Sequence, residues 1–218
     1  MKTNFLKKHA DFFLIILFFA IPPIFSSGQN VEQISDQQAF SPAAPLSTLL
    51  LRVALSVYIL FKMKFGKKDF KSFSFASTLS ILCILLINAM LWNFIAGFFQ
   101  SSSDDQLEKI VPEGFWSNFY IWLSLFVSAF YEEILYRKFL PDETASFDSQ
   151  QKSLLYRIIV ESLIILIFAL GHRYLGVLAV LNAVFAGGVL RFFCVKTGSF
   201  LSGFTAHLIY NLIVFFLL

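Results

Sequence analysis

Residues 75–99 read FASTLSILCILLINAMLWNFIAGFF, from Phe75 to Phe99 without one Asp, Glu, Lys or Arg. A helix needs about 20 apolar residues to cross the hydrocarbon layer of a bilayer, and this run is long enough. Six more apolar runs flank it, at roughly 11–26, 46–63, 115–137, 154–172, 175–195 and 199–218. The whole chain follows the same pattern. Of its 218 residues 57% are hydrophobic and only 14% charged, and 29 are Phe. A typical globular chain is about 25% charged, and a soluble fold of this size lacks the interior to hide so much apolar surface. The expected architecture is an all-α, polytopic membrane helix bundle with about seven transmembrane helices.

The segments between the runs alternate in charge. Lys2, Lys7 and Lys8 precede the first run, whereas the segment from Gln29 to Pro45 carries Glu32 and Asp36 and no Lys or Arg. Lys62, Lys64, Lys67, Lys68 and Lys71 follow the second run, and Asp104, Asp105, Glu108 and Glu113 outnumber Lys109 after the third. Arg137, Lys138, Lys152 and Arg157 surround the next segment, where Pro141 is expected to break the chain into a cytoplasmic turn over Asp142 to Gln151. Lys and Arg favour the cytoplasmic side, which places the N-terminus in the cytoplasm and the C-terminus outside. The first run also resembles a signal peptide, with Ser26-Ser27-Gly28 as a cleavage region. Cleavage would leave a short polar stub before the next span, so an uncleaved first span is the preferred reading.

The net charge of +3 is too small to suggest nucleic acid. Cys83 and Cys194 sit inside apolar runs and read as small buried hydrophobes. Gly176, Ala179, Ala183 and Gly187 recur every three or four residues, a stripe that lets another helix approach. Asn88, Asn93 and Asn182 read as helix–helix contacts, and Arg157 and Glu161 as an i,i+4 ion pair. His9 falls in the basic N-terminal segment and reads as solvated.

Ionisable groups at membrane depth are costly, and those that remain usually face a partner or a cavity. Glu132 and Glu133 follow directly on an apolar stretch. Arg137 is one turn beyond Glu133 and can pair with it, which leaves Glu132 about 100° away on the helix with no local partner. The pair could also be the cytoplasmic end of a span in headgroup water. His172 closes the fifth run beside Gly171. His207 lies inside the last run with Asn211 one turn later, an arrangement that suits interhelical glue as well as two donors to an oxyanion.

Taken together, Glu132-Glu133-Ile134-Leu135-Tyr136-Arg137 fits Glu-Glu-x-x-x-Arg, Phe168 to His172 fits Phe-x-x-x-His, and His207 to Asn211 fits His-x-x-x-Asn. This ordered set resembles the CPBP family of intramembrane peptidases, also called the CAAX-protease and bacteriocin-processing (Abi) family. The resemblance covers roughly residues 115–218. It implies a catalytic helical core there, with the active site in a polar cavity between the C-terminal helices, and residues 1–114 as a variable set of N-terminal membrane helices. It implies Glu132 as general base assisted by His172, His207 and Asn211 as oxyanion donors, and Glu133 and Arg137 as organising groups. The chain lacks the His-Glu-x-x-His helix of zinc peptidases, so no metal is expected to be required. A zinc ion on Glu132, His172 and His207 is the alternative.

The expected activity is hydrolysis of a peptide bond in a membrane-associated or C-terminal segment of a peptide or protein substrate, in a bacterial plasma membrane. A non-enzymatic binding or immunity protein that keeps the fold is the alternative. A small proton-coupled transporter fits less well, because paired discontinuous helices are missing. One geometric conflict stands out. If Glu132 lies near the cytoplasmic end of its helix, a straight fifth helix from Leu154 carries His172 roughly 27 Å away from it.

Overall fold

The computed structural model describes residues 9–25, 31–34, 37–40, 44–63, 73–99, 108–109, 113–147, 153–198 and 200–217. Several charges used for the orientation lie outside these residues, namely Lys2, Lys7, Lys8, Asp36, Lys64, Lys67, Lys68, Lys71, Asp104, Asp105 and Lys152. So does the Ser26-Ser27-Gly28 cleavage region.

Seven helices form the bundle among the described residues. They are α1 (Ala10–Phe25), α2 (Leu46–Lys62), α3 (Phe75–Phe99), a compound α4 starting at Phe115, α5 (Leu154–Leu170), α6 (Val177–Thr197) and α7 (Phe200–Phe216). The bundle itself is all-α. The connecting segments add a small sheet in which β1 (Val31–Ile34) pairs antiparallel with β2 (Gln37–Phe40), and β2 pairs parallel with β3 (Glu108–Lys109).

By length and apolarity two helices suffice to cross a membrane, Phe75–Phe98 and Val177–Thr197, rather than the expected seven or so. The shortfall has a physical origin. Helices α2, α5 and α7 have 17 residues each, which is roughly 25 Å of rise. The first part of α4 interrupts its apolar run with Ser117, Asn118, Ser124 and Ser128. The outer surface of the bundle is nevertheless apolar. Leu50, Phe61, Ile87, Phe98, Trp116 and Val195 are all more than half exposed, and a continuous apolar exterior marks contact with lipid or protein rather than water. The protein is membrane-associated.

The compound helix α4 positions the site. It runs as α-helix over Phe115–Glu132, as π-helix over Glu133–Phe139, and as α-helix again over Leu140–Ser146. Pro141 explains the widened middle. It has no N–H for the carbonyl of Arg137 four residues earlier, and its ring crowds that oxygen. The π stretch accommodates the ring without ending the helix, and Arg191 Nη1 donates to the freed Arg137 carbonyl at 2.8 Å. The expected turn over Asp142 to Gln151 is therefore corrected in its first half, residues 148–151 lying outside the described residues. Helix continues to Ser146.

Continuity also removes the geometric conflict. Glu132 lies in the middle of α4, with about 21 Å of helix beyond it. Because α5 starts past that end and runs back, its own end at Leu170 returns to the level of Glu132.

Other expectations meet different partners. Glu161 pairs with the guanidinium of Arg191, not with Arg157. Arg191 Nε donates at 2.7 Å and Nη2 at 2.5 Å to its two carboxylate oxygens. His9 is buried rather than solvated, 3.5 Å from Glu143 and edge-on to Phe147. Cys194 is buried as expected, but Cys83 faces outward, and both are free thiols. Asn88 does bridge helices, donating to Asn182, whose own amide donates to Tyr210 Oη at 3.3 Å. In the small-residue stripe, Gly187 packs against Phe168, where an added Cβ would sit 3.0 Å from the ring. Gly176 lies just outside the helix, at φ +96°, a backbone that L side chains rarely adopt.

Candidate active site

The π stretch turns Glu133 inward. Its side chain is 2% exposed, against 19% for Glu132, and that difference separates the two neighbours. Glu133 receives Nδ1–H of His207 at 3.0 Å and lies 3.7 Å from Nε of Arg137, one helical turn on. Gly203 on α7 packs beside this carboxylate, where a Cβ would come into ordinary contact at 3.4 Å from Glu133 Oε2. Arg137 is itself fully buried, and its guanidinium stacks over the Phe168 ring at 4.2 Å. None of its three nitrogens has a hydrogen-bond partner among the described residues, so the ion pair and the ring carry its charge.

Glu132 faces the other way, onto two adjoining cavities of about 280 and 270 Å³. Glu132 and His172 line both of them. His207 and Asn211 line the second. His207 thus stands between the two carboxylates, with Nδ1 on Glu133 and Nε2 3.8 Å from Glu132 Oε2.

His172 follows the end of α5, where its Nδ1 lies 3.1 Å from the Phe168 carbonyl. A carbonyl only accepts, so Nδ1 carries the proton in this contact, and in the neutral ring Nε2 keeps the lone pair. Phe168 links both halves of the site, since it also packs against the His172 ring at 4.9 Å between centroids. The four sequence candidates are therefore brought to one cavity system, with Glu133 and Arg137 directly behind it.

One cavity residue carries no sequence motif. Arg52, in α2, lines both cavities. Its Nη1 donates to Ser128 Oγ at 2.5 Å, and its guanidinium lies 5.6 Å from the centre of the Tyr131 ring. The sequence signal that could have found it is a lone arginine inside an apolar run.

Comparison with known proteins bears on the same segment. Residues 114–213 match a family model described as type II CAAX prenyl endopeptidase Rce1-like. This Rce1-like region is just under half of the chain, and it contains Glu132, Glu133, Arg137, His172, His207 and Asn211. It supports the CPBP/Abi-related assignment at the family level. Together with the buried Glu132, Glu133 and His207 network it supports a peptidase-like active site. No curated protein and no solved structure matches the chain.

A zinc ion on Glu132, His172 and His207 is the alternative to a metal-free site. Zinc needs three or four ligands converging at about 2 Å, and no group of three or more His, Cys, Asp or Glu among the described residues is arranged to hold a metal.

Proposed function

We propose that this chain is an integral-membrane endopeptidase that hydrolyses a peptide bond in a membrane-associated or C-terminal substrate segment. One observation carries the reading. His207 bridges Glu133 and Glu132 at the wall of a cavity that His172 and Asn211 share.

Hydrolysis needs water, which lipid excludes, so the helices must enclose the polar space where it happens. Glu132 takes a proton from a water molecule whose second contact is the Nε2 lone pair of His172. The resulting hydroxide attacks the scissile carbonyl carbon, and the negative charge passes to the carbonyl oxygen. Asn211 donates a hydrogen bond to that oxygen through its amide, and His207 donates a second from Nε2 when the ring carries a proton there as well as the Nδ1–H held by Glu133, in surroundings of low dielectric where such bonds gain strength. Glu132 then returns the proton to the leaving nitrogen as the C–N bond breaks. Glu133 and Arg137 hold His207 and the helix in register and do not touch the substrate. No step requires a metal.

A cleavage assay in liposomes with a library of fluorescence-quenched peptides tests this. Glu132→Gln and His172→Ala should each lose on the order of 100-fold or more in rate while inserting normally. If both cut as well as wild type, the assigned roles are wrong. A strong chelator should leave wild-type activity unchanged. Loss of activity that added zinc restores would replace the metal-free mechanism.

A further inference from the structure

We infer that Arg52 forms a carboxylate-binding subsite beside Glu132, so that the enzyme selects substrates presenting a carboxylate next to the cleaved bond. The inference rests on the proposed peptidase function and adds a substrate class to it. It begins with position. Arg52 is the seventh residue of the seventeen in α2, far from either end, and an arginine at that depth needs a partner or a polar cavity. Lys62, Arg137 and Arg191 each have a carboxylate within ion-pair distance. Among the described residues Arg52 has none within 4.0 Å, including Glu132, with which it shares both cavities.

The guanidinium is also underused. It offers five N–H donors in a planar fork, and the structure gives it one hydrogen bond, to Ser128. That bond and the Tyr131 ring fix the fork in place. The remaining donors border space that the protein leaves open. A fixed, cavity-lining guanidinium with spare donors suits a planar carboxylate, which it grips through two parallel hydrogen bonds. Two sources present that group, the C-terminal α-carboxylate of a peptide and an Asp or Glu side chain. Arg52 also lies outside the Rce1-like region, so this selectivity belongs to the N-terminal helices and not to the matched catalytic segment.

The test is binding, which separates the inference from catalysis. Three forms of one fluorescein-labelled apolar octapeptide are titrated into Glu132→Gln protein in liposomes: free acid, C-terminal amide, and amide with Asp as the penultimate residue. At least one carboxylate form should bind on the order of 10- to 100-fold more tightly than the plain amide, and which form does so identifies the source. Adding Arg52→Gln should abolish the preference. Arg52→Lys, which keeps the charge if the glutamine variant fails to fold, should retain only part of it. Equal binding of all three forms overturns the inference, as does an equal loss for all three with Arg52→Gln. A preference in protein whose wild type cuts none of these peptides would keep Arg52's role and remove the peptidase reading. Cleavage without preference would do the reverse.

Discussion

Glu132 and Glu133 are adjacent in sequence and opposite in circumstance. The spacing of Arg137 from Glu133 was enough to separate them on paper, and the structure places the pair as that spacing suggests. What the spacing could not show is that His207 is the third member of the buried cluster, because its partner is 74 residues away. Removing Arg137 leaves a buried carboxylate with His207 as its one remaining partner among the described residues. Arg137→Met should therefore lower stability by about 3–5 kcal/mol, read as a loss of melting temperature in detergent. Adding Glu133→Gln should recover a good part of the loss, because the stranded charge goes with it. A double variant no more stable than Arg137→Met alone would mean that Arg137 acts mainly by filling space over Phe168. Asn211 is a different case, since it lines the cavity and lies outside the buried cluster. Asn211→Ala should lower kcat about 100- to 1000-fold with little change in KM. A change confined to KM would make it a ground-state contact.

Helix α4 shows why the element boundaries were harder to read than the residues. Pro141 reads as a break in one dimension, since a proline inside a helix kinks or breaks it. The break is avoided because Arg191, 54 residues from Arg137, supplies the Arg137 carbonyl with the hydrogen bond that Pro141 cannot. The same arginine explains why the Arg157–Glu161 spacing misled. An i,i+4 pair is worth only a few tenths of a kcal/mol, and a two-pronged guanidinium from α6 offers Glu161 more. Arg191 thereby clasps α4, α5 and α6. Arg191→Met should cost about 1.5–3 kcal/mol per charged hydrogen bond lost. The sharper expectation is coupling. In a Pro141→Ala background residue 141 regains an N–H for the Arg137 carbonyl, so Arg191→Met should cost measurably less there than in wild type. Equal costs in the two backgrounds, by thermal unfolding in detergent, would mean that Arg191 does not compensate for the proline.

Across the whole molecule, charge alternation in the connecting segments implied that successive helices alternate in direction, and packing independently supports that alternation. The start of α1, the end of α2 and the end of α4 meet in one ionic cluster. Lys62 Nζ lies 3.2 Å from Asp11 Oδ2 and 3.1 Å from Glu143 Oε1. At the opposite end β2 and β3 pair, joining the segment between α1 and α2 to the one between α3 and α4. Both facts require the first four helices to alternate in direction, as the lysines had implied. Helix number and order were legible because apolar runs are long and their flanks charged. Helix length was not, because three helices stop at 17 residues and α4 extends past its apolar run. Glu132 then lies roughly 16 Å along α4 from Glu143 and 24 Å from the exposed Trp116 near its start. With the ionic cluster on the cytoplasmic side, single cysteines can settle the orientation in a Cys83→Ser, Cys194→Ser background. A membrane-impermeant maleimide added to intact cells should label Ser102→Cys, and should label Lys67→Cys only after permeabilisation. The reversed pattern would invert the bundle. Labelling of both positions in intact cells would contradict the alternation that the cluster and the β2–β3 pairing require.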